Sequence, residues 1–252
     1  MSAPKSLRAD LALLHQGLAQ TRCEAQALIM AGKVFCGTQR VAKPSSPVSA
    51  QAPLVVQAPL PYVSRGGEKL AAFLDHFGLL VSGGYSLDVG ASTGGFTDCL
   101  LQRGVVQATC VDVGHGQLHY RLRNDPRVVS LERVNARYLQ PSDLPCAAYT
   151  IVVVDVSFIS LRLVLPVLWP LVAQSGALIA LIKPQFEASP KVVSQGRGVI
   201  RDAAVQDKIR DELCAWMQTF SHARWIGVID SPLLGAQGNR EFLAGITRQP
   251  GV

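Results

Sequence analysis

The stretch DVGASTGGFTD, residues 88–98, sets a carboxylate, small hydroxyls and three glycines in an order that suits a bound nucleoside. Gly90 permits a sharp backbone turn, and Gly94 and Gly95 allow a ligand close to the following helix start. The spacing is G-x-x-x-G-G, neither the G-x-G-x-x-G of dinucleotide sites nor the G-x-x-x-x-G-K of a P-loop. With no lysine and few donors for a pyrophosphate, Asp88, Gly90, Ser92, Thr93, Gly94, Gly95 and Phe96 fit a nucleoside with a short charged tail, or else form a purely structural turn. Asp112 follows Gly90 by 22 residues, where a carboxylate can accept hydrogen bonds from both ribose hydroxyls. Asn135 is placed to contact an adenine edge.

Four further residues invite a chemical reading. Asp155 follows an apolar run in VVVDVSFISL, and a carboxylate there is costly to bury without a partner, so it is either half of a structural ion pair or has a task. Lys183 closes the run Ala177–Ile182, which reads as a strand buried on both faces; its amine either sits on a binding rim or snorkels to water. Pro184 is expected to hold the chain after Lys183 extended. Lys69, at a helix start in SRGGEKL, and Glu241, in GNREFL, look singly like ordinary surface charges.

The elements that must position these groups alternate from residue 85 onward. Strands are expected at YSLDVG, QATCVDVG, YTIVVVDV, ALIALIK and ARWIGVID, with a last one around REFLAGIT, and helices lie between most of them. This alternation predicts an α/β fold with a mostly parallel sheet and an antiparallel pairing at its end. In such a sheet, ligands bind at the carboxyl ends of the strands, where the candidate residues fall. Pro166 and Pro170 are expected to distort the helix SLRLVLPVLWPLV.

The first 59 residues read as a separate small α+β unit. Leu7, Leu11 and Leu14 mark one face of a helix that Gly17 ends, and Thr21 and Glu24 form a capping box for a second helix closed by Gly32. Strands KVFCG and PLVVQ flank the turn-rich VAKPSSPVSAQ. A linker is expected at 60–64 and a catalytic domain at 65–252. Six Lys or Arg against two acids within residues 1–60 supply four of the chain's six net positive charges, which points to a polyanion-binding appendage. The six scattered cysteines lack C-x-x-C spacing and read as buried reduced thiols. Cys146, after Pro145, precedes the strand that would have to present it as a nucleophile. No apolar run reaches a membrane span and the N-terminus lacks a secretory apolar region, so a soluble cytoplasmic protein is expected.

The segments SRGGEKL, DVGASTGGFTD, VDVGHGQL, RNDPRVVSLERVNAR, VDVSFISL, IKPQFE and GNREFL, in this order, resemble the TlyA-type proteins. Those are S-adenosylmethionine-dependent rRNA ribose 2′-O-methyltransferases with an FtsJ-like catalytic domain of Rossmann-like class I architecture. The segment ADLALLHQGLAQTRCEAQALIMAGKVFCGT resembles the RNA-binding module named after ribosomal protein S-four. The resemblance implies a tetrad Lys69, Asp155, Lys183 and Glu241, a donor site at the DVGASTGGF loop and Asp112, and cytidine ribose in ribosomal RNA as substrate. It also implies S-adenosylmethionine as methyl donor, no metal, ribosomal subunits as partners, no membrane and a monomeric protein. Arg8, Arg22, Lys33 and Arg65 are then the candidate RNA contacts, and arginines in YRLRNDPR and GRGVIRD are either further contacts or solvated charge. Exocyclic amine methylation usually carries an N-P-P-Y type sequence after the fourth strand, where this chain has DVSF, so ribose methylation is favoured. On this reading Lys183 accepts the hydroxyl proton, Lys69 orients the hydroxyl or the developing oxyanion, and the two carboxylates position both amines. The alternative is an assembly factor that binds RNA and donor but works mainly as a clamp.

Overall fold

Four apolar runs ending at Val89, Asp112, Val154 and Ile182 lie side by side as parallel strands, since runs buried on both faces need helices on each side. The computed structural model describes residues 6–57, 60–196 and 198–251. The chain divides after Leu60 into two units.

The smaller unit contains β1 (Ser6–Arg8), α1 (Ala9–His15), α2 (Arg22–Met30), β2 (Val34–Cys36), β3 (Gln39–Arg40), β4 (Pro47–Ser49) and β5 (Leu54–Val56). The larger begins with α3 (Gly66–Phe77), β6 (Tyr85–Val89), α4 (Gly95–Gln102), β7 (Gln107–Asp112), α5 (Tyr120–Arg123) and β8 (Val128–Glu132). It continues through β9 (Tyr149–Val154), α6 (Leu161–Leu168), β10 (Val172–Ile182), α7 (Pro184–Glu187) and α8 (Pro190–Gln195), and ends with α9 (Ala203–Met217), β11 (Ala223–Asp230) and β12 (Phe242–Arg248).

The large sheet has the order β11-β12-β10-β9-β6-β7-β8. Strands β8 to β10 are parallel, whereas β12 runs antiparallel to both β10 and β11. From central β6 the chain moves outward to β8, then crosses to β9 on the other side. The switch point, where a crevice must open, lies between β6 and β9.

Residue parity decides which layer each side chain enters. Val152, Val154, Leu178, Ala180 and Ile182 join one core with Val164 and Leu165 of α6 and Met217 of α9. Ile151, Val153, Ile179, Leu181 and Leu243 join another with Leu70 and Phe73 of α3 and Leu100 of α4. Asp155, Lys183 and Glu241 carry the same parity as this second set, whose helix α3 holds Lys69. Pro166 stays inside α6, and Pro170 opens a 3₁₀ turn at Trp169–Leu171.

Several expectations are corrected. The buried face of α1 is Ala9, Ala12 and Leu13; Leu7 lies in a strand and Leu11 is exposed. The reason is Asp10, a buried carboxylate at the helix start that accepts from Leu11 N–H, from Arg8 twice, and from Arg22 and Gln26. The Arg8 guanidinium, with Gln26 and Arg22, holds the Asp10 carboxyl well below the usual carboxylate range. The turn-rich stretch contains β4, which pairs antiparallel with β1. Within the expected linker, Val63 N–H donates to Asp98 of α4 at 2.8 Å, so this stretch packs as part of the larger unit. Residues 58 and 59, at the expected end of the small unit, lie outside the described residues. Cys23 is exposed, and Cys36 and Cys146 are half-buried, leaving Cys99, Cys110 and Cys214 in the core.

Asp10→Ala is expected to destabilise the smaller unit by about 1.5–3 kcal/mol, the value of hydrogen bonds to a charged group. Hydrogen exchange of the α1 and α2 amides in the full chain would show faster opening, with the larger unit unaffected.

Candidate functional site

Two ion pairs face each other across the rim of the sheet. Lys69 Nζ lies 2.6 Å from Glu241 Oε2, and Lys183 Nζ lies 2.6 Å from Asp155 Oδ1. The lysine side chains are only 13% and 11% exposed, so both amines sit in a nearly dry place. All four residues line one cleft of about 440 Å³. Lys183 also donates to Ser157 Oγ at 2.9 Å, so its aligned hydrogen bond goes to a neutral group and its carboxylate contact is electrostatic.

Local structure explains the placement. Ile182 pairs with Phe242 in antiparallel register, which brings Glu241, at the start of β12, to the rim where β10 ends. The corrected role of Pro184 is also visible here: it occupies the first position of α7, and Lys183 before it takes φ −116° and ψ 98°. Proline's fixed φ suits a helix start, while its ring forces the preceding residue extended, so the constraint falls on Lys183 itself.

A second cavity of about 330 Å³ adjoins the first and shares Gly90, Ser92, Asp155, Ser157 and Phe158 with it. Asp112 and Asn135 line its far side with the apolar Val113, Ala136 and Ile159. Asp112 accepts from Ser92 N–H and Gly114 N–H, both at 2.7 Å, which fixes its carboxylate at the strand end. Asn135 Oδ1 accepts from Arg137 N–H. Gly90 has φ +82°, and a Cβ there would meet the Asp155 carbonyl at 2.4 Å, so the crevice floor admits only glycine. Gly95 lines the cleft, and it also packs closely at the start of α3: a Cβ would strike Ser64 Oγ at 2.3 Å and Gly67 N at 2.8 Å. Gly94 and Thr93 lie in the loop before it, Thr93 on the cleft wall, and Phe96 packs into the core beside Phe73.

Residues 62–248 match the family model described as FtsJ-like methyltransferase, and residues 7–52 match the S4 domain. The chain belongs to the FtsJ-like methyltransferases. It is 44% identical to YqxC of Bacillus subtilis (strain 168) over 95% of this chain and 85% of that protein. It is 41% identical to the 16S/23S rRNA (cytidine-2'-O)-methyltransferase TlyA of Mycobacterium tuberculosis, over 96% of this chain and 90% of that one. A solved structure of a hemolysin-named protein from Streptococcus thermophilus is 38% identical, with a TM-score of 0.74 over 99% of this chain and 90% of that chain. No helix among the described residues is long and apolar enough to cross a membrane.

Beneath this methyltransferase cleft lies Asp88, wholly buried, accepting from the Thr97 N–H at 3.0 Å and the Thr97 hydroxyl at 2.6 Å through one oxygen. Its other oxygen has no partner among the described residues. Burial first, with Asp155 and Asp112 adding like charge, pushes its carboxyl up to about 7. Burial likewise pushes the neighbouring Cys110 thiol up to about 12.

Of the candidate RNA contacts, Arg8 and Arg22 are brought together around Asp10, and Lys33 lies half-buried just before β2. Arg65 is exposed at the mouth of the cleft that Lys69 also lines. Arg127 is held bidentate by Asp125. Arg197, in GRGVIRD, lies outside the described residues. Residue-by-residue reading missed Ser157, the aromatic pair Phe158 and Phe186, Gln185, and Glu187. Glu187 accepts from Ser160 Oγ and Leu161 N–H, and so ties the loop after Asp155 to α7. Their only signal was membership of the segments VDVSFISL and IKPQFE.

A carboxyl near 3.8 when unfolded and near 7 when buried binds its proton on folding. The stability it lends is full below the lower value and is lost as pH rises through the higher. Asp88→Asn is therefore expected to flatten the dependence of Tm on pH between about 4 and 7, measured by thermal melts in a buffer series.

Proposed function

We propose that this methyltransferase transfers a methyl group from S-adenosylmethionine to the 2′-hydroxyl of cytidine in ribosomal RNA. Large-subunit RNA is the expected substrate, with small-subunit RNA a second one, as in the name of the Mycobacterium tuberculosis relative. The observation that carries this reading is the pair of amine–carboxylate contacts in one cleft that opens directly into a nucleoside-sized cavity. The S4 match supports RNA as the partner, and a reaction on ribosomal RNA fits a cytoplasmic enzyme. The clamp reading is not favoured, because a curated relative over nearly the whole chain is named for catalysis.

The second cavity fits the donor. Its glycine-only floor lets a flat group lie against the backbone, Asp112 offers acceptor lone pairs for ribose hydroxyls, and the apolar walls suit an adenine. S-adenosylmethionine, when bound, supplies an electrophilic methyl on a sulfonium. The protein's work is on the other reactant. A ribose hydroxyl is a poor nucleophile, and its O–H bond must break as its oxygen takes the methyl. Lys183 Nζ accepts that proton in its unprotonated form, and Asp155 and Ser157 hold the amine where the hydroxyl arrives. Lys69, fixed by Glu241, orients the hydroxyl and stabilises charge developing on its oxygen. Phe158, 91% exposed at the cleft mouth and held at φ +62°, offers a ring face to an unpaired base.

Lys183→Ala is expected to lower methyl transfer to ribosomal subunits roughly a hundred- to ten-thousandfold while donor affinity by calorimetry stays unchanged. Equal incorporation of labelled methyl by both proteins would sink the proposed base. Replacing Arg8 or Arg22 by Ala is expected to weaken RNA binding and lower the slope of log affinity against log salt by about 1 for each phosphate no longer neutralised. Filter binding at several salt concentrations reads this directly.

A further inference from the structure

We propose that Glu132 is a positioning residue for the methyl donor, holding the loop 113–117 so that the Asp112 carboxylate is set to receive the ribose hydroxyls. The assignment rests on the reading of the second cavity as the donor site. Glu132 ends β8, and the parallel pairing of β7 with β8 puts it beside Asp112 in register. It is not among the residues that line the catalytic cleft or the second cavity, so its influence on a donor passes through its neighbours.

Its hydrogen bonds name those neighbours. Glu132 Oε1 accepts from Gly116 N–H at 2.9 Å, and Oε2 pairs with His115 Nδ1. Both carboxylate oxygens are thus given to two successive residues of one loop. That loop carries Gly114 and Gly116, the latter at φ +67°, and two glycines so close together gain much backbone freedom if the loop comes loose. The loop therefore needs an anchor, and Glu132 supplies it from the strand end.

The other side of the anchored loop meets the donor site. Gly114 N–H donates to Asp112 Oδ1 at 2.7 Å, and Ser92 N–H donates to Oδ2, also at 2.7 Å. Ser92 Oγ bonds Gln117 Oε1 at 3.1 Å, which joins this loop to the glycine loop on the other flank of Asp112. Val113 and Gln117 line the second cavity together with Asp112. A Cβ on Gly114 would strike Gln117 Nε2 at 1.9 Å, so the loop is folded tightly over its own glutamine. With Glu132 removed, Gly114 N–H loses its fixed place, and the Asp112 carboxylate is free to turn away from a donor ribose.

The test compares the wild type with Glu132→Ala, Glu132→Gln, Asp112→Asn and the double variant Asp112→Asn with Glu132→Ala. Calorimetry reads S-adenosylhomocysteine affinity, and tritiated S-adenosylmethionine with ribosomal subunits gives kcat and the donor KM. Glu132→Ala is expected to melt with the wild type, to bind S-adenosylhomocysteine about tenfold more weakly and to raise the donor KM to match. Its kcat at saturating donor stays unchanged, because the lysines are untouched. In the double variant the Glu132 substitution adds nothing to the loss caused by Asp112→Asn, since its effect runs through Asp112. Full donor affinity in Glu132→Ala would overturn the assignment, as would losses that multiply in the double variant, or a fall in kcat with the donor KM unchanged. If Glu132→Ala melts at a lower temperature, Glu132→Gln decides: unchanged donor affinity there overturns the assignment, and weaker affinity at an unchanged melting temperature supports it. Failure of the wild type to bind S-adenosylhomocysteine would overturn the donor reading, and this assignment with it.

Discussion

Two lysine amines share one nearly dry cleft, where water solvates neither well, so each needs a partner supplied by the fold. Each is held by a carboxylate 2.6 Å away, and the sheet must deliver both pairs to the same rim. The antiparallel run of β12 is what makes this geometry attainable. A parallel strand beside β10 would bring its carboxyl end to the rim, but β12 brings its amino end, and Glu241 arrives beside Lys183 in the register that pairs Phe242 with Ile182. Lys69 comes from the helix that covers this face.

The remainder of the larger unit follows from keeping that rim rigid. Alternate residues of β9 and β10 feed two separate cores, so each strand is clamped from both sides and its last residue has little freedom. Behind the cleft, burial pushes the Asp88 carboxyl up to about 7, so with Thr97 holding one oxygen it ionises far less readily than an exposed carboxylate. The smaller unit applies the opposite device in Asp10, a carboxylate kept charged by the guanidinium groups around it.

Much of this was legible in the sequence, and the limits have physical causes. The uninterrupted runs before Asp155 and Lys183 read as buried strands, which places both residues at strand ends; which face each side chain enters emerges only from the packed cores. Strand order, by contrast, depends on which edge each new strand joins, and no local pattern encodes that. The face of the helix starting at Ala9 is misread from sequence because its leucines repeat at helical spacing, while the residue that decides the buried face is a polar one, Asp10. Gly95 reads in sequence as an approach path for a ligand and does line the cleft, but sequence cannot show that Ser64 and Gly67 also pack against it. Ser157 and Gln185 gave no signal beyond their places in VDVSFISL and IKPQFE, because the cleft they line is assembled from stretches far apart in the chain.

The contact at Gly95 carries a mechanical consequence. The first turn of α4 follows directly from the glycine loop 90–94, and the bare Gly95 there leaves room for Ser64 Oγ and the Gly67 amide at the start of α3, the helix that carries Lys69. A displacement of that loop therefore presses on the helix that carries one of the two amines. Such a joint works like a keyed shaft, in which one part cannot turn without the other. The glycine loop and Lys69 are thereby set against each other by a short, close contact.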